Sequence, residues 1–254
     1  MTHYRQRRRF VRCVQILTAV LFFGLWEATT RLHVLDAFIF SSPSRVLATF
    51  IDMARDGTVF YHIGVTLYET LLSFVIVLIL GTGIAVILWW NRKAAAICEP
   101  YLVVLNSLPK TALAPILIVW LGNNMKTIIV CAVSLAIFNT VIHLYTCFSE
   151  TDGDKLLLIR TLGGGKKEIL SKVILPGSIP SLISNMKANI GLCLVGVIIG
   201  EFLAANAGIG YLIIYGSQVF KLSWVIMSIV LLCFIAVGLY ALIGLLEKIY
   251  QKRL

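Results

Sequence analysis

Charge is scarce in this sequence. Acidic and basic side chains make up 13% of its 254 residues, and 59% of the residues are hydrophobic. Ordinary soluble domains carry about a quarter charged residues. So apolar a chain cannot cover a water-facing surface, which makes it an integral membrane protein. The net charge of +10 does not imply nucleic acid as a partner, because the basic residues lie between apolar runs rather than on one face. Histidine is scarce as well. There are four, none at metal-ligand spacing, and His143 stands alone in an apolar run as a packed or pore-facing side chain. The six cysteines, Cys13, Cys98, Cys131, Cys147, Cys193 and Cys233, show no C-x-x-C spacing. They read as small buried hydrophobes, not as a disulfide or zinc framework.

A nucleotide loop is also missing. Gly163-Gly164-Gly165-Lys166-Lys167 looks faintly like one, but G-x-x-x-x-G-K-[ST] needs glycine at Arg160 and a hydroxyl at Lys167, and no strand precedes it. Ser-His-Asp, paired-carboxylate and zinc-helix patterns are absent at useful spacing. The sequence therefore predicts no covalent chemistry, no metal and no cofactor of its own. Neither an internal repeat nor a separate soluble domain is visible.

What is present is a series of apolar runs. Arg5, Arg7, Arg8, Arg9 and Arg12 precede Val14–Ala28; no small-residue cleavage site follows, so this reads as an uncleaved first membrane helix. Residues 31–65 are polar, and within them Ser42-Pro43 reads as a helix start and Gly57 as its stop. Val46, Leu47, Phe50, Ile51 and Ala54 share one face of that helix, which lies at the outer interface. Val65–Trp90 is long enough to span the hydrocarbon, for which about 20 residues are needed. Trp89, Trp90, Arg92 and Lys93 mark its inner end. Tyr101–Leu121 is a third span, interrupted by Pro109 and Pro115 and carrying Asn106 and Lys110, so it faces protein or a watery cavity. Thr127–Cys147, Ile183–Ala205 and Trp224–Leu246 complete six crossings.

Six crossings put both termini on one side, and the lysines and arginines choose the side. Arg92, Lys93, Lys155, Arg160, Lys166, Lys167 and Lys172 fall with the terminal basic residues, including Lys248, Lys252 and Arg253. Only Arg31, Arg45, Arg55, Lys126 and Lys221 fall opposite. Cytoplasmic termini follow. The expected organisation is a tail, first span and interfacial helix over residues 1–60, then a five-span core over 61–254 with a cytoplasmic loop at 150–176.

That loop is the one long polar island between strongly apolar segments. Gly163-Gly164-Gly165 breaks it into two short helices. The first presents Leu156, Leu157, Ile159 and Leu162; the second carries Ile169, Leu170 and Val173 before Pro176 ends it. An apolar-faced knuckle in water needs a partner. Inside the spans, Lys187 and Glu201 lie fourteen positions apart, close to four helical turns, so they point roughly the same way. With Asn106, Lys110 and Asn189 they are candidates for a translocation path. The alternative is that Lys187 reaches the inner interface while Glu201 caps or pairs near the outer one. Glu69 carries the same ambiguity.

Gly163 through Pro176 resembles the cytoplasmic loop signature of permease subunits of bacterial ABC importers. That pattern is E-A-A, three residues, Gly, nine residues, Ile, one residue, Leu-Pro. Gly163 fits the glycine, Val173 replaces the isoleucine, and Leu175-Pro176 complete it. The E-A-A triplet falls on Leu157, Leu158 and Ile159, a departure that removes a carboxylate and keeps an apolar contact. Leu108–Gly122, Leu175–Pro180, Gly200-Glu201-Phe202 and Gly208–Ile213 resemble the nitrate, sulfonate, taurine and bicarbonate branch.

The resemblance implies an all-α type I importer permease in the bacterial cell membrane, paired with a second copy of itself and embedded in lipid. Cytoplasmic ATPase subunits that use the ATP would dock on Leu157, Leu158, Ile159, Arg160, Thr161, Leu162, Gly163, Gly164, Lys166 and Pro176. An extracytoplasmic binding protein would deliver a small anionic or sulfonate-like solute, or alternatively a thiamine-pyrimidine or riboflavin-type vitamin precursor. A self-sufficient secondary transporter or a membrane enzyme would need repeats or a catalytic constellation that this sequence does not offer.

Overall fold

The computed structural model of the protein describes residues 2–251, and every regular element among them is helical. In chain order these are α1 (Thr2–Arg31), α2 (Ala37–Phe40), α3 (Pro43–Arg55), α4 (Thr58–Trp90), α5 (Arg92–Ser107), α6 (Lys110–Leu121), α7 (Met125–Ser149), α8 (Gly153–Thr161), α9 (Lys166–Ile169), a wide π turn (Leu170–Ile174), α10 (Leu175–Gly177), α11 (Ile179–Ala204), α12 (Ile209–Gln218) and α13 (Leu222–Gln251). Among the described residues α4, α7, α11 and α13 are long and apolar enough to cross a bilayer; the bent pair α5–α6 makes a fifth span if counted as one. The remaining expected crossing, Val14–Ala28, falls in α1, several of whose side chains lie outside the described residues. The side chains of Arg5, Arg7, Arg8, Arg9, Arg12 and Cys13, and residues Lys252 and Arg253, also lie outside them.

Local chemistry sets the boundaries. Ser42 Oγ accepts the Arg45 N–H at 3.3 Å and Pro43 opens α3, as the Ser-Pro pair predicts. Gly57, at φ 80°, takes the left-handed turn that follows. Asp56 Oδ1 then accepts the Thr58 N–H at 3.0 Å, so α4 begins at Thr58 and not at Val65. The third expected span divides at Leu108-Pro109, where proline lacks an N–H and forces the residue before it out of the helical region. The two halves, α5 and α6, meet at 94°. Pro115 lies within α6 without ending it.

The chain forms two compact units, Met1–Tyr61 with Leu212–Leu231, and His62–Tyr211 with Leu232–Leu254. In the first, Glu27 joins α1 to the start of α3: its carboxylate accepts the Ser44 N–H at 3.1 Å and the Ser44 hydroxyl at 2.8 Å. Trp26 Nε1 donates to Phe40 O at 3.3 Å. The Ser41 and Ser223 hydroxyls meet at 2.8 Å.

The second unit is built around α11 lying on α7. Gly196 and Gly200 permit the approach, since a Cβ on Gly196 would stand 2.5 Å from Ala132 Cα and one on Gly200 would stand 2.9 Å from Ile128 Cα. Small residues at a helix contact let backbones come this close in a membrane, where packing drives association. Phe74 and Val77 of α4, Ala136 of α7, Ile183, Ile190 and Cys193 of α11, and Leu239 and Ile243 of α13 form one core cluster. A second cluster, Ala85, Leu144, Phe148, Ile169 and Ile174, seats the polar island on the ends of α4 and α7.

Candidate functional site

The polar island is α8, the three-glycine joint, and α9 with the turns after it. Asp152 starts α8 by accepting the Asp154 N–H at 3.0 Å. At its other end Gly163 turns left-handed, φ 79°. Gly163 N–H donates to Arg160 O at 3.0 Å and Gly164 N–H to Ile159 O at 2.9 Å. This pair of bonds satisfies the last carbonyls of a helix when the residue after its cap is left-handed. Gly164 is required for a different reason: a Cβ there would stand 2.6 Å from Ile159 Cγ2 and 2.9 Å from Ile159 O. Gly165 N–H donates to the Glu168 carboxylate at 2.8 Å, which starts α9. The Glu168 backbone N–H, then that of Gly165, and more weakly Lys172 and Lys167, hold the Glu168 carboxyl below the usual carboxylate range.

Pro176 does not end this segment, contrary to the sequence expectation. Helical winding runs on through Leu175–Gly177 and into α11. A proline inside a helix crowds the carbonyl four residues back and leaves it without a donor. Here the π turn immediately before it, with Leu175 N–H donating to Leu170 O, widens the helix where that carbonyl sits. Ser178 Oγ, 2.7 Å from Ile174 O, takes up another carbonyl of the turn.

Packing divides the apolar residues of α8 into two sets. Leu156 and Ile159 pack inward on the second core cluster. Leu157, Leu158 and Leu162 stay outside, at 60%, 59% and 75% exposure. Arg160, Thr161 and Lys166 are exposed around them, and Lys166 Nζ donates to Trp90 O at 3.4 Å. Beside the knuckle is an open cavity of about 640 Å³ lined by Trp89, Arg92, Tyr145, Phe148, Lys166 and neighbouring residues. The apolar residues of α8 are thus anchored on one side and bare on the other.

The polar residues of the spans do not gather into one group. Asn106 and Lys110 meet across the α5–α6 break: Lys110 Nζ donates to Asn106 Oδ1 and to Leu135 O, each at 3.0 Å, and lies 5.8 Å from the Phe138 ring centre. Lys187 pairs with Glu247 of α13 at 2.5 Å, and its Nζ lies 5.6 Å from the centre of the Tyr240 ring. Asn189 turns to α7, donating to Thr140 Oγ1 at 2.8 Å, and also bonds Asn185 Oδ1. Glu201 turns to α4, accepting the Thr66 hydroxyl at 2.6 Å, and to the start of α12, accepting the Gly210 N–H at 2.5 Å. Lys187 and Glu201, expected on one side of α11, thus serve different neighbours.

Sequence reading did not find the partners Glu247, Thr140, Asn185 and Thr66. For Thr66 a signal was present: Thr66, Glu69, Thr70 and Ser73 recur at spacings that place them on one helical face.

These features define an all-helical polytopic membrane protein that presents an anchored, apolar-tipped knuckle between two of its spans. The chain belongs to the family of binding-protein-dependent transport system inner membrane components, whose sequence profile matches residues 77–254. It is similar to the formylaminopyrimidine transport permease protein ThiX of Halalkalibacterium halodurans, 26% identical over 204 residues, covering 79% of this chain and 81% of that one. It is also similar to a putative aliphatic sulfonates transport permease protein, SsuC, of Bacillus subtilis, 23% identical over 242 residues, covering 95% and 88%. Its fold matches a chain of the MetNI methionine ABC transporter in an inward-facing conformation, with a TM-score of 0.67 at 18% identity over 75% of this chain and 95% of that one. The protein is the permease component of an ABC importer, an integral inner-membrane protein of a family that works with ATPase and binding-protein partners.

Proposed function

We propose that this chain pairs with a second copy of itself and imports a small anionic or sulfonate-like solute, released by a binding protein on the outside. The energy comes from ATPase subunits docked on Leu157, Leu158 and Leu162. The chain itself needs no cofactor and hydrolyses no ATP. Its termini and knuckle lie in the cytoplasm, in keeping with the distribution of lysine and arginine.

One observation carries this reading: three leucines stand bare in a nine-residue helix whose other apolar residues are fixed to the spans. An ATPase groove that takes these leucines can push on α8, and α8 transmits the push through Leu156 and Ile159 to α4 and α7. The two helical bundles then rock to expose the route alternately to each side. Asn106 and Lys110, at the broken span, suit the route, since irregular backbone and charge at membrane depth belong beside a cavity. Lys187, half-buried at its ion pair, lies closer to the knuckle. Asn189 and Glu201 are each 1% exposed and serve helix contacts in this conformation.

Similarity to a formylaminopyrimidine permease over 79% of the chain supports a vitamin-precursor substrate as the second reading. A thermal-shift screen of the cognate binding protein, with sulfonates in one set and aminopyrimidines in the other, separates the two. Docking is tested by Leu158→Asp. That position is 59% exposed, so folding and insertion are unchanged, while co-purification of the ATPase and ATP-driven uptake fall at least tenfold, equivalent to about 1.4 kcal/mol of binding. Undiminished co-purification would place the ATPase elsewhere.

A further inference from the structure

Lys110 keeps one of its N–H donors in reserve. Its Nζ donates to Asn106 Oδ1 and to Leu135 O, each at 3.0 Å, and an ammonium group carries three donors. Leu135 stands ten positions after Met125 in the 25-residue α7, so these bonds hold the charge about 15 Å along the helix, near its middle and away from either headgroup layer. No carboxylate answers it there. α6 and α7 contain no acidic residue, and α5 contains Glu99 alone, about two turns before Asn106. The ion pairs among the described residues are those of Arg31 with Glu27 and Lys187 with Glu247. An uncompensated cation in the middle of a span is costly unless water or an anion reaches it.

The strip of α7 that leads from Leu135 toward the knuckle is polar as well. Asn139 and His143 follow Leu135 at successive steps of four residues, and Thr146 continues the same face. Between Ala136 and Ser149 the exposed side chains are His143, Thr146 and Ser149, all polar. A lipid-facing surface in this chain is different: on α13 the exposed side chains include Phe234, Val237, Leu242 and Leu245. Asn139 is half-buried and, like His143, has no hydrogen-bond partner among the described residues. In hydrocarbon both groups would go unsatisfied. Against the same strip of a second copy, Lys110 would meet another lysine and no carboxylate, since a two-fold contact sets like patches together. We infer that Lys110, Asn139 and His143 form a track for an anion. Lys110 holds the anion at mid-membrane through its third N–H, and the Asn139 amide and the His143 ring N–H pass it toward the knuckle. Resting on the proposed import of a small anion, the track supplies the side chains that select for its charge.

The test uses the full-length protein in nanodiscs and two thiol reagents of similar size, the anionic 2-sulfonatoethyl methanethiosulfonate and the cationic 2-(trimethylammonium)ethyl methanethiosulfonate. Asn139→Cys and His143→Cys are labelled separately, and peptide mass spectrometry assigns each adduct, so the other cysteines do not interfere. Each rate is divided by the rate of the same reagent with free mercaptoethanol. The sulfonate should then react at least about tenfold faster than the cation at both positions, the concentrating effect of a cleft lined by one sign of charge. Val237→Cys, on the exposed apolar side of α13, should react with neither reagent. Lys110→Met should abolish the preference and Lys110→Arg should retain it. Silence of both introduced cysteines would put the strip in lipid and overturn the inference. Equal rates for the two reagents while Lys110 is intact would overturn it too, a measurement that does not depend on any Lys110 variant folding; so would a preference that survives Lys110→Met. A binding protein that takes only aminopyrimidines would remove the proposed substrate without altering these rates, so failure of the import reading and failure of the track are told apart.

Discussion

Replacing Gly163 with alanine isolates the contribution of one backbone conformation to the knuckle. Its φ of 79° is left-handed, and a Cβ there would meet nothing within 4 Å. The effect is therefore backbone strain with no steric part, about 1–2 kcal/mol for an ordinary L-residue. At about 1.4 kcal/mol per factor of ten, the open population of the joint should rise about 5- to 30-fold. Arg160 and Lys166 flank the joint and are exposed, so trypsin reads that population directly when opening and closing are faster than cleavage. The experiment follows cleavage at these two sites by mass spectrometry in the detergent-solubilised protein, with Gly163→Asn as comparison, since asparagine enters the left-handed region more readily. Alanine should accelerate cleavage by that factor and asparagine by less, and ATP-driven uptake should fall in the same order. Equal cleavage in all three proteins would mean that the left-handed turn does not hold the knuckle shut, and the account of α8 as a fixed lever would fail.

Two further outcomes follow from the packing. Gly196→Val forces α11 away from Ala132 and should cost about 1–3 kcal/mol, typical of overpacking, seen as a lower melting temperature. Gly191→Val on the same helix, with nothing within 4 Å of a Cβ, should leave it unchanged; equal shifts would contradict the close contact. Lys187→Met and Glu247→Gln should each lower thermal stability, and the double variant should lose less than their sum because neither charge is then left alone. Strict additivity would show that the pair is uncoupled.

Much of the knuckle was readable because its determinants are local. Gly163-Gly164-Gly165 breaks a helix wherever it occurs, Ser42-Pro43 starts one, and Pro109 divides a span whatever surrounds it. The family followed from the same residues, since Gly163 and Leu175-Pro176 keep their spacing. Long-range pairing was not readable. Lys187 and Glu247 are 60 positions apart, and Thr66 and Glu201 are 135 apart; helical spacing says only that a polar residue faces inward, not which helix it meets. The division of α8 was also hidden, because leucine or isoleucine lies on nearly every side of it and no apolar stripe stands out. Pro176 misled for a different reason: its effect as a helix breaker is cancelled by the π turn before it, which no residue type announces.

That wide turn makes chain length, more than residue identity, the constrained property of the segment leading into α11. Deleting one residue between Leu170 and Ile174 would restore an ordinary ladder, yet it would rotate everything upstream by about 100° relative to α11. Ile169 would swing out of its seat against Leu144 and Phe148, and the bare leucines of α8 would aim in a new direction. The surplus residue acts as a phase setting between the knuckle and the membrane bundle.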